Sequence, residues 1–150
     1  MRVVIQRVQE ASVSVEDRIV GSISKGLVVL VGFEEEDGKE DLDWMAGKIC
    51  NLRIFGDANG KMNLSLLDLN AEILLISQFT LFASTKKGNR PSFIKAAKPE
   101  LAKFLYQQFA DILKDISSKK CEEGIFGADM QVRLCNDGPV TITIDSKQRE

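Results

Sequence analysis

Two short runs, Leu27-Val28-Val29-Leu30-Val31 and Ile73-Leu74-Leu75-Ile76, are rich in β-branched residues and contain no polar position. A strand with one wet face alternates apolar and polar residues, so unbroken runs of this length predict strands covered on both faces. Two such strands need layers above and below a common sheet. Arg2 to Val8 is dense in β-branched residues, Ala11 to Val15 alternates strictly, and Ile19 to Ser24 follows a turn at Asp17-Arg18, so the opening is all β. Leu42, Met45, Ala46, Ile49 and Leu52 or Arg53 fall at helical spacing. Pro99 suits the first turn of a second helix, whose Leu101, Phe104, Leu105, Phe109, Ile112, Leu113 and Ile116 predict one apolar stripe. Lys119 to Gly124 reads as a loop. Met130–Cys135 and Val140–Ile144 read as partner strands, with a hairpin turn at Asp137-Gly138 between them. Residues 146–150 read as a frayed tail. The expectation is a single α/β domain over residues 1–150, three-layered as α/β/β, with two β-sheets and helices on one face.

The chain has no histidine in 150 residues. That excludes a Ser-His-Asp triad, a Cys-His pair and any histidine-ligated metal. Cys50, Cys121 and Cys135 are odd in number and lack C-x-x-C spacing, which argues against a disulfide framework or zinc site and reads as three small buried residues. No metal or cofactor is expected. Gly26 to Phe33 is the longest apolar run and is too short to span a bilayer, and the first residues lack a signal-peptide core, so a cytoplasmic protein with no membrane partner is expected. The net charge of −2 announces no polyanion. Its distribution is uneven: between Ser84 and Lys103 stand Lys86, Lys87, Arg90, Lys95, Lys98 and Lys103 against Glu100 alone. Such a band suits phosphates, and suits a plain solvated surface equally well.

The second apolar run ends directly in Ser77-Gln78-Phe79-Thr80-Leu81. Strand ends present side chains and backbone N–H groups that no ladder uses, and free N–H groups can hold a developing oxyanion. Thr80 and Ser77 bring hydroxyls, but a hydroxyl without a base is a weak nucleophile. Phe79 reads either as core on the opposite face or as a stacking surface for a terminal base. Near the C-terminus, Asn136-Asp137-Gly138-Pro139-Val140-Thr141 puts a proline at the start of a strand, where it cannot donate to the ladder.

Together the two blocks, with Gly88-Asn89-Arg90-Pro91-Ser92-Phe93 between them, resemble the D-aminoacyl-tRNA deacylases, whose marks are SQFTL and NxGPVT. The likeness runs from Met1 to Asp145, and the chain carries Ser84 where that family usually has Asp. The resemblance implies a three-layer α/β/β homodimer with active sites at the subunit interface, and hydrolysis of the ester of D-aminoacyl-tRNA by main-chain contacts assisted by the terminal RNA 2′-hydroxyl. It implies catalytic roles for Ser77, Gln78, Phe79 and Thr80. It also implies a cis Gly138-Pro139 that reaches into the partner's site and rejects L-aminoacyl groups, with Arg7 and Asn136 supporting it. Phe79, Lys87 and Arg90 are the candidate RNA contacts. Selection by exclusion further implies action on glycyl-tRNA. Two other readings compete: an esterase with Thr80 as nucleophile, and a non-catalytic module that binds RNA ends.

Overall fold

A computed structural model describes residues 1–149. Strand β1 (Arg2–Val15) is long enough to pair twice along one edge. Its first half runs antiparallel to β3 (Gly26–Gly32) and its second half to β2 (Arg18–Ile23). β3 continues the sheet through a parallel pairing to β6 (Glu72–Ser77), which pairs in parallel with β7 (Cys121–Glu123). On its other edge β1 carries β8 (Gln131–Asp145) along nearly its whole length. Helices α1 (Lys39–Asn51) and α2 (Pro99–Ser117) lie on one face, and β4 (Phe55–Gly56) and β5 (Met62–Leu64) form a small separate ribbon.

Both all-apolar runs are inner strands: Leu27, Val28, Val29, Val31 and Ile73 to Ile76 are all buried. Residues on one face, Val3, Ile5, Leu27, Val29, Ile73 and Leu75, pack with Leu42, Met45, Ile49, Leu105, Phe109 and Leu113 of the helices. Residues on the other, Val28, Leu74 and Ile76, pack with Val8, Ala11, Val13 and Ile23 from the far half of β1 and from β2. The two β layers are therefore one sheet folded over itself, with β1 and β8 passing through the bend. Tyr106 anchors α2 by donating its buried hydroxyl to the Leu75 carbonyl (3.0 Å).

Several sequence expectations are corrected. Met130–Cys135 and Val140–Ile144 do not pair with each other; they are parts of the single strand β8, and both pair with β1. Cys121–Glu123, read as loop, is the edge strand β7. Phe104 and Ile116 of the α2 stripe face solvent, their places in the core taken by Ala102, Tyr106 and Ala110. Of the cysteines only Cys50 is buried; Cys121 is half-buried and Cys135 exposed.

The tail is not frayed over residues 146–149, and Glu150 lies outside the described residues. Ser146 is buried, donates its N–H to the Met1 carbonyl (2.9 Å) and accepts from the Met1 ammonium (2.9 Å), which also meets the buried Asp37 carboxylate. Lys147 reaches Asp41 on α1 (2.8 Å), and the Arg149 guanidinium lies 4.5 Å over the Trp44 ring. Burial alone would raise the Asp41 carboxyl. Hydrogen bonds from Lys147, Ser146 and the Gly38 N–H outweigh it and hold the group at about 2. A carboxyl lowered by folding stabilises above its unfolded value near 3.8 and loses that contribution as pH falls toward 2. Urea titrations should therefore show the wild type losing about 2 kcal/mol more than Asp41→Asn between pH 5 and pH 2. Parallel pH profiles of the two proteins would show that Asp41 does not clasp the C-terminal segment.

Candidate functional site

The parallel pair β3 and β6 ends at one edge of the molecule, with Val31 beside Ser77. Beyond Ser77 the chain leaves the ladder and makes a single 3₁₀ turn, Phe79–Phe82, with Gln78 as its N-cap. The Gln78 N–H is still committed, donating to the Val31 carbonyl (2.7 Å). The next two N–H groups, of Phe79 and Thr80, head the turn and donate to no group among the described residues. They are the two orphan donors that any such turn leaves at its start. Gly32 lets the strand end lie this close, since a Cβ there would come 2.7 Å from the Gln78 carbonyl oxygen.

The turn is held from both sides. Gln78 Nε2 donates to Thr80 Oγ1 (2.6 Å), so the Thr80 hydroxyl oxygen already accepts a bond. Arg2 donates to the Leu81 carbonyl (3.1 Å) and to Asp145 (2.8 Å) while lying over the Phe82 ring. Sequence reasoning missed Arg2; the one available signal was a cation directly before the apolar run Val3-Val4-Ile5.

Ser77, Gln78 and Phe79 line a cleft of about 720 Å³ whose other walls come from Phe93, Phe126 and Met130 among others. Phe79 does not fill the core: it is 57% exposed and meets Phe93 edge-to-face at 5.1 Å. Phe93 entered the sequence reading only as the end of the Gly88–Phe93 block, not as a cleft wall, and the 126–130 wall was missed, since nothing local in the sequence ties either to Ser77. Lys87 and Arg90 stand on the neighbouring loop, exposed and without an acidic partner among the described residues. Among the described residues, Asp129 is the sole carboxylate lining the cleft, and no group of histidine, cysteine or carboxylate side chains could hold a metal.

The second block lies elsewhere. Across β1 and β8 the pairing steps from Gln6–Thr141 to Val8–Asn136, so residues 137–140 bulge out opposite Arg7. The Gly138–Pro139 peptide is cis, and both residues are exposed at the crest of the bulge. Arg7, little exposed, donates to the Asp137 carbonyl (3.2 Å) and the Ile54 carbonyl and pairs with the Asp137 carboxylate (3.1 Å). Asn136 Oδ1 accepts from the Val140 N–H (3.2 Å), and its amide donates to Thr141 Oγ1 (3.1 Å). Arg7 and Asn136 thus hold the chain on either side of Gly138 and Pro139.

The structure does not bring the two blocks together within one chain. Arg7 pairs with Leu27 whereas Ser77 pairs with Val31, an offset of four residues. Three strand spacings also separate β8 from β6. At about 3.3 Å per residue and about 4.8 Å per strand, Gly138 and Ser77 are roughly 20 Å apart.

Gly138 has φ +118, and a Cβ there would lie 2.8 Å from an Arg7 guanidinium nitrogen and 3.1 Å from Val140. Gly138→Ala should therefore cost about 1–3 kcal/mol in urea denaturation. A change below about 0.5 kcal/mol would mean that the bulge gives way freely and that Arg7 does not fix its shape.

Comparison with known proteins bears on this site. Residues 4–145 match the family model described as D-Tyr-tRNA(Tyr) deacylase. Proteins of Flavobacterium psychrophilum and Bacteroides thetaiotaomicron, each called D-aminoacyl-tRNA deacylase, are 60% and 58% identical over the full length of both chains. Among solved structures, the c-Myc DNA Unwinding Element Binding Protein superposes with TM-score 0.91 at 42% identity, over 97% of this chain and 98% of that one. A probable eukaryotic D-amino acid tRNA deacylase shares the fold at TM-score 0.82 and 19% identity, over 95% and 97% of the two chains.

Proposed function

The chain belongs to the D-Tyr-tRNA(Tyr) deacylase family, and we propose from that premise that it hydrolyses the ester of D-aminoacyl-tRNA in the cytosol, freeing tRNA and the D-amino acid. The observation that carries the reading is the pair of unpartnered N–H groups at the head of the 3₁₀ turn, that of Phe79, which lines the cleft, and that of Thr80 next to it. They would bind the ester carbonyl oxygen as it gains charge, with Gln78 and Ser77 fixing the backbone beneath them. Water attacks the carbonyl carbon, the bond to the ribose 3′-oxygen breaks, and that oxygen leaves with a proton. The terminal 2′-hydroxyl of the RNA assists, in keeping with a chain that has no histidine. An aminoacyl ester is already activated, so positioning and an oxyanion site can suffice without a covalent intermediate.

Chiral selection falls to Gly138 and Pro139. Their roughly 20 Å separation from Ser77 supports a homodimer in which the bulge of one copy enters the cleft of the other. Two carbonyl oxygens near the substrate Cα leave room for hydrogen on one side; an L side chain collides there and a D side chain points away. A second reading, nucleic-acid binding without hydrolysis, draws on the cationic band and on the name of the 42% identical relative. Salt-dependent tRNA binding with no loss of the ester would favour it.

If water attacks, Thr80→Ala should keep a substantial share of deacylation of D-tyrosyl-tRNA, while a terminal 2′-deoxy substrate should be cleaved severely more slowly. A loss of about four decades in Thr80→Ala with an unaffected deoxy substrate would instead make Thr80 the nucleophile.

Glycine separates exclusion from attraction. With hydrogen at both Cα positions it offers Gly138 and Pro139 nothing to reject, so glycyl-tRNA should be cleaved measurably while L-alanyl-tRNA is spared. A pocket attracting D side chains would leave glycine weakly bound for want of apolar surface. Glycyl-tRNA left intact at enzyme levels that clear D-tyrosyl-tRNA would rule out exclusion.

A further inference from the structure

Beside the cleft the chain makes a feature that the chemistry above does not use. Ser84 and Ser92 exchange backbone hydrogen bonds (2.7 and 3.0 Å), which pinch residues 85–91 out as a narrow finger. Gly88, at φ +68, turns its tip, and every residue of the finger is exposed. Its sequence, Thr-Lys-Lys-Gly-Asn-Arg-Pro, holds no aromatic side chain and, but for Pro91 at its base, no apolar one. Lys86, Lys87 and Arg90 find no carboxylate among the described residues, whereas Arg2, Arg7, Lys114 and Lys147 all do. The root of the finger is fixed at the cleft, because Phe93, next after Ser92, lines it against Phe79.

We infer that this finger grips backbone phosphates of the single-stranded RNA end just before the nucleotide that enters the cleft. The inference rests on the proposed substrate and names the part of it that Lys86, Lys87 and Arg90 hold. Three residues of extended chain from the pinch give the finger a reach of about 10 Å, enough to pass the terminal nucleotide and meet its neighbours. Three unpaired cations on a scaffold without an aromatic side chain recognise chiefly charge, so the contact is largely indifferent to sequence and raises affinity without touching the ester. The 3₁₀ turn and the finger thus divide the work, with Phe79 and Thr80 at the acyl group and the three cations on the strand that carries it.

The test compares wild type with the triple variant Lys86→Ala, Lys87→Ala, Arg90→Ala on D-tyrosyl-tRNA and on D-tyrosyl-adenosine, which has no such phosphates. Each lost single-strand contact removes about 0.7 from the log–log salt slope, so the variant's slope should be shallower by about 2. Its KM for the tRNA should rise strongly at 50 mM salt, and the gap to wild type should close about twentyfold by 200 mM. Its kcat on the tRNA and its kcat/KM on D-tyrosyl-adenosine should stay within about twofold. The charge-conserving variant Lys86→Arg, Lys87→Arg, Arg90→Lys should restore the wild-type slope. An unchanged slope in the alanine variant, or an equal loss on both substrates, overturns the inference, the latter because the finger would then be shaping the cleft. Filter binding of uncharged tRNA reads the same slopes without any hydrolysis. A wild type that binds with the steep slope but leaves the ester intact would sink the deacylase reading and support the finger.

Discussion

The pairing of β1 on both of its edges is the constraint on which the rest depends. Its first half is hydrogen-bonded between β3 and β8, its second between β2 and β8. Val3 and Ile5 therefore face the core beneath the helices, while Val8, Ala11 and Val13 face the core between the folded halves of the sheet. A strand committed on two edges cannot slip by one residue without turning both sets of side chains the wrong way. Both candidate functional features hang from it. The cleft sits where β3 and β6 end, in a register that β1 sets through Arg2–Gly32, and the bulge sits where the pairing with β8 steps past Arg7.

The cleft asks little of side chains. Removing a single donor from an oxyanion site typically costs about 3–4 kcal/mol of transition-state stabilisation. Two preset N–H groups can therefore account for several decades of rate on an ester that is already reactive. Main-chain donors also do not titrate near neutral pH and survive every substitution but proline, and they suit a chain without histidine. What must be encoded is the 3₁₀ turn itself, and the residues that encode it are Gln78, Thr80, Gly32 and Arg2.

What the sequence made legible follows from locality. The strands buried on both faces and the Pro99 helix announce themselves through unbroken apolar runs or strong periodicity. The β7 strand does not, because Cys121-Glu122-Glu123 is short, polar and defined only by its place beside Leu74 and Leu75. Asn136-Asp137-Gly138 gives the same local signal for a hairpin and for a bulge, and the partner, β1, lies more than a hundred residues away. The tail misled for the same reason: Ser146 and Lys147 are polar residues whose partners are Met1 and Asp41. The SQFTL block ends in one wall of the cleft, but no local pattern could have revealed Phe93, at the end of the Gly88–Phe93 block, and Met130 as walls of the same cleft.

The bulge is the feature hardest to explain within one chain. An exposed turn at the bend of a sheet needs no arginine beneath it, yet Arg7 spends its donors on the Asp137 and Ile54 carbonyls and the Asp137 carboxylate, and Asn136 braces the far side. Holding a guanidinium largely out of water beneath two exposed residues is tolerated here through its pairing with Asp137, whereas neither Gly138 nor Pro139 contributes to either hydrophobic core. A surface feature fixed in this way makes sense when its shape is read by something outside the chain. At roughly 20 Å from its own cleft, it cannot be read there by the substrate that the same chain holds. On the proposed function, the carbonyl oxygens of Gly138 and Pro139 would act on substrate held by a second copy, and dimerisation would then complete the active site and do more than add stability.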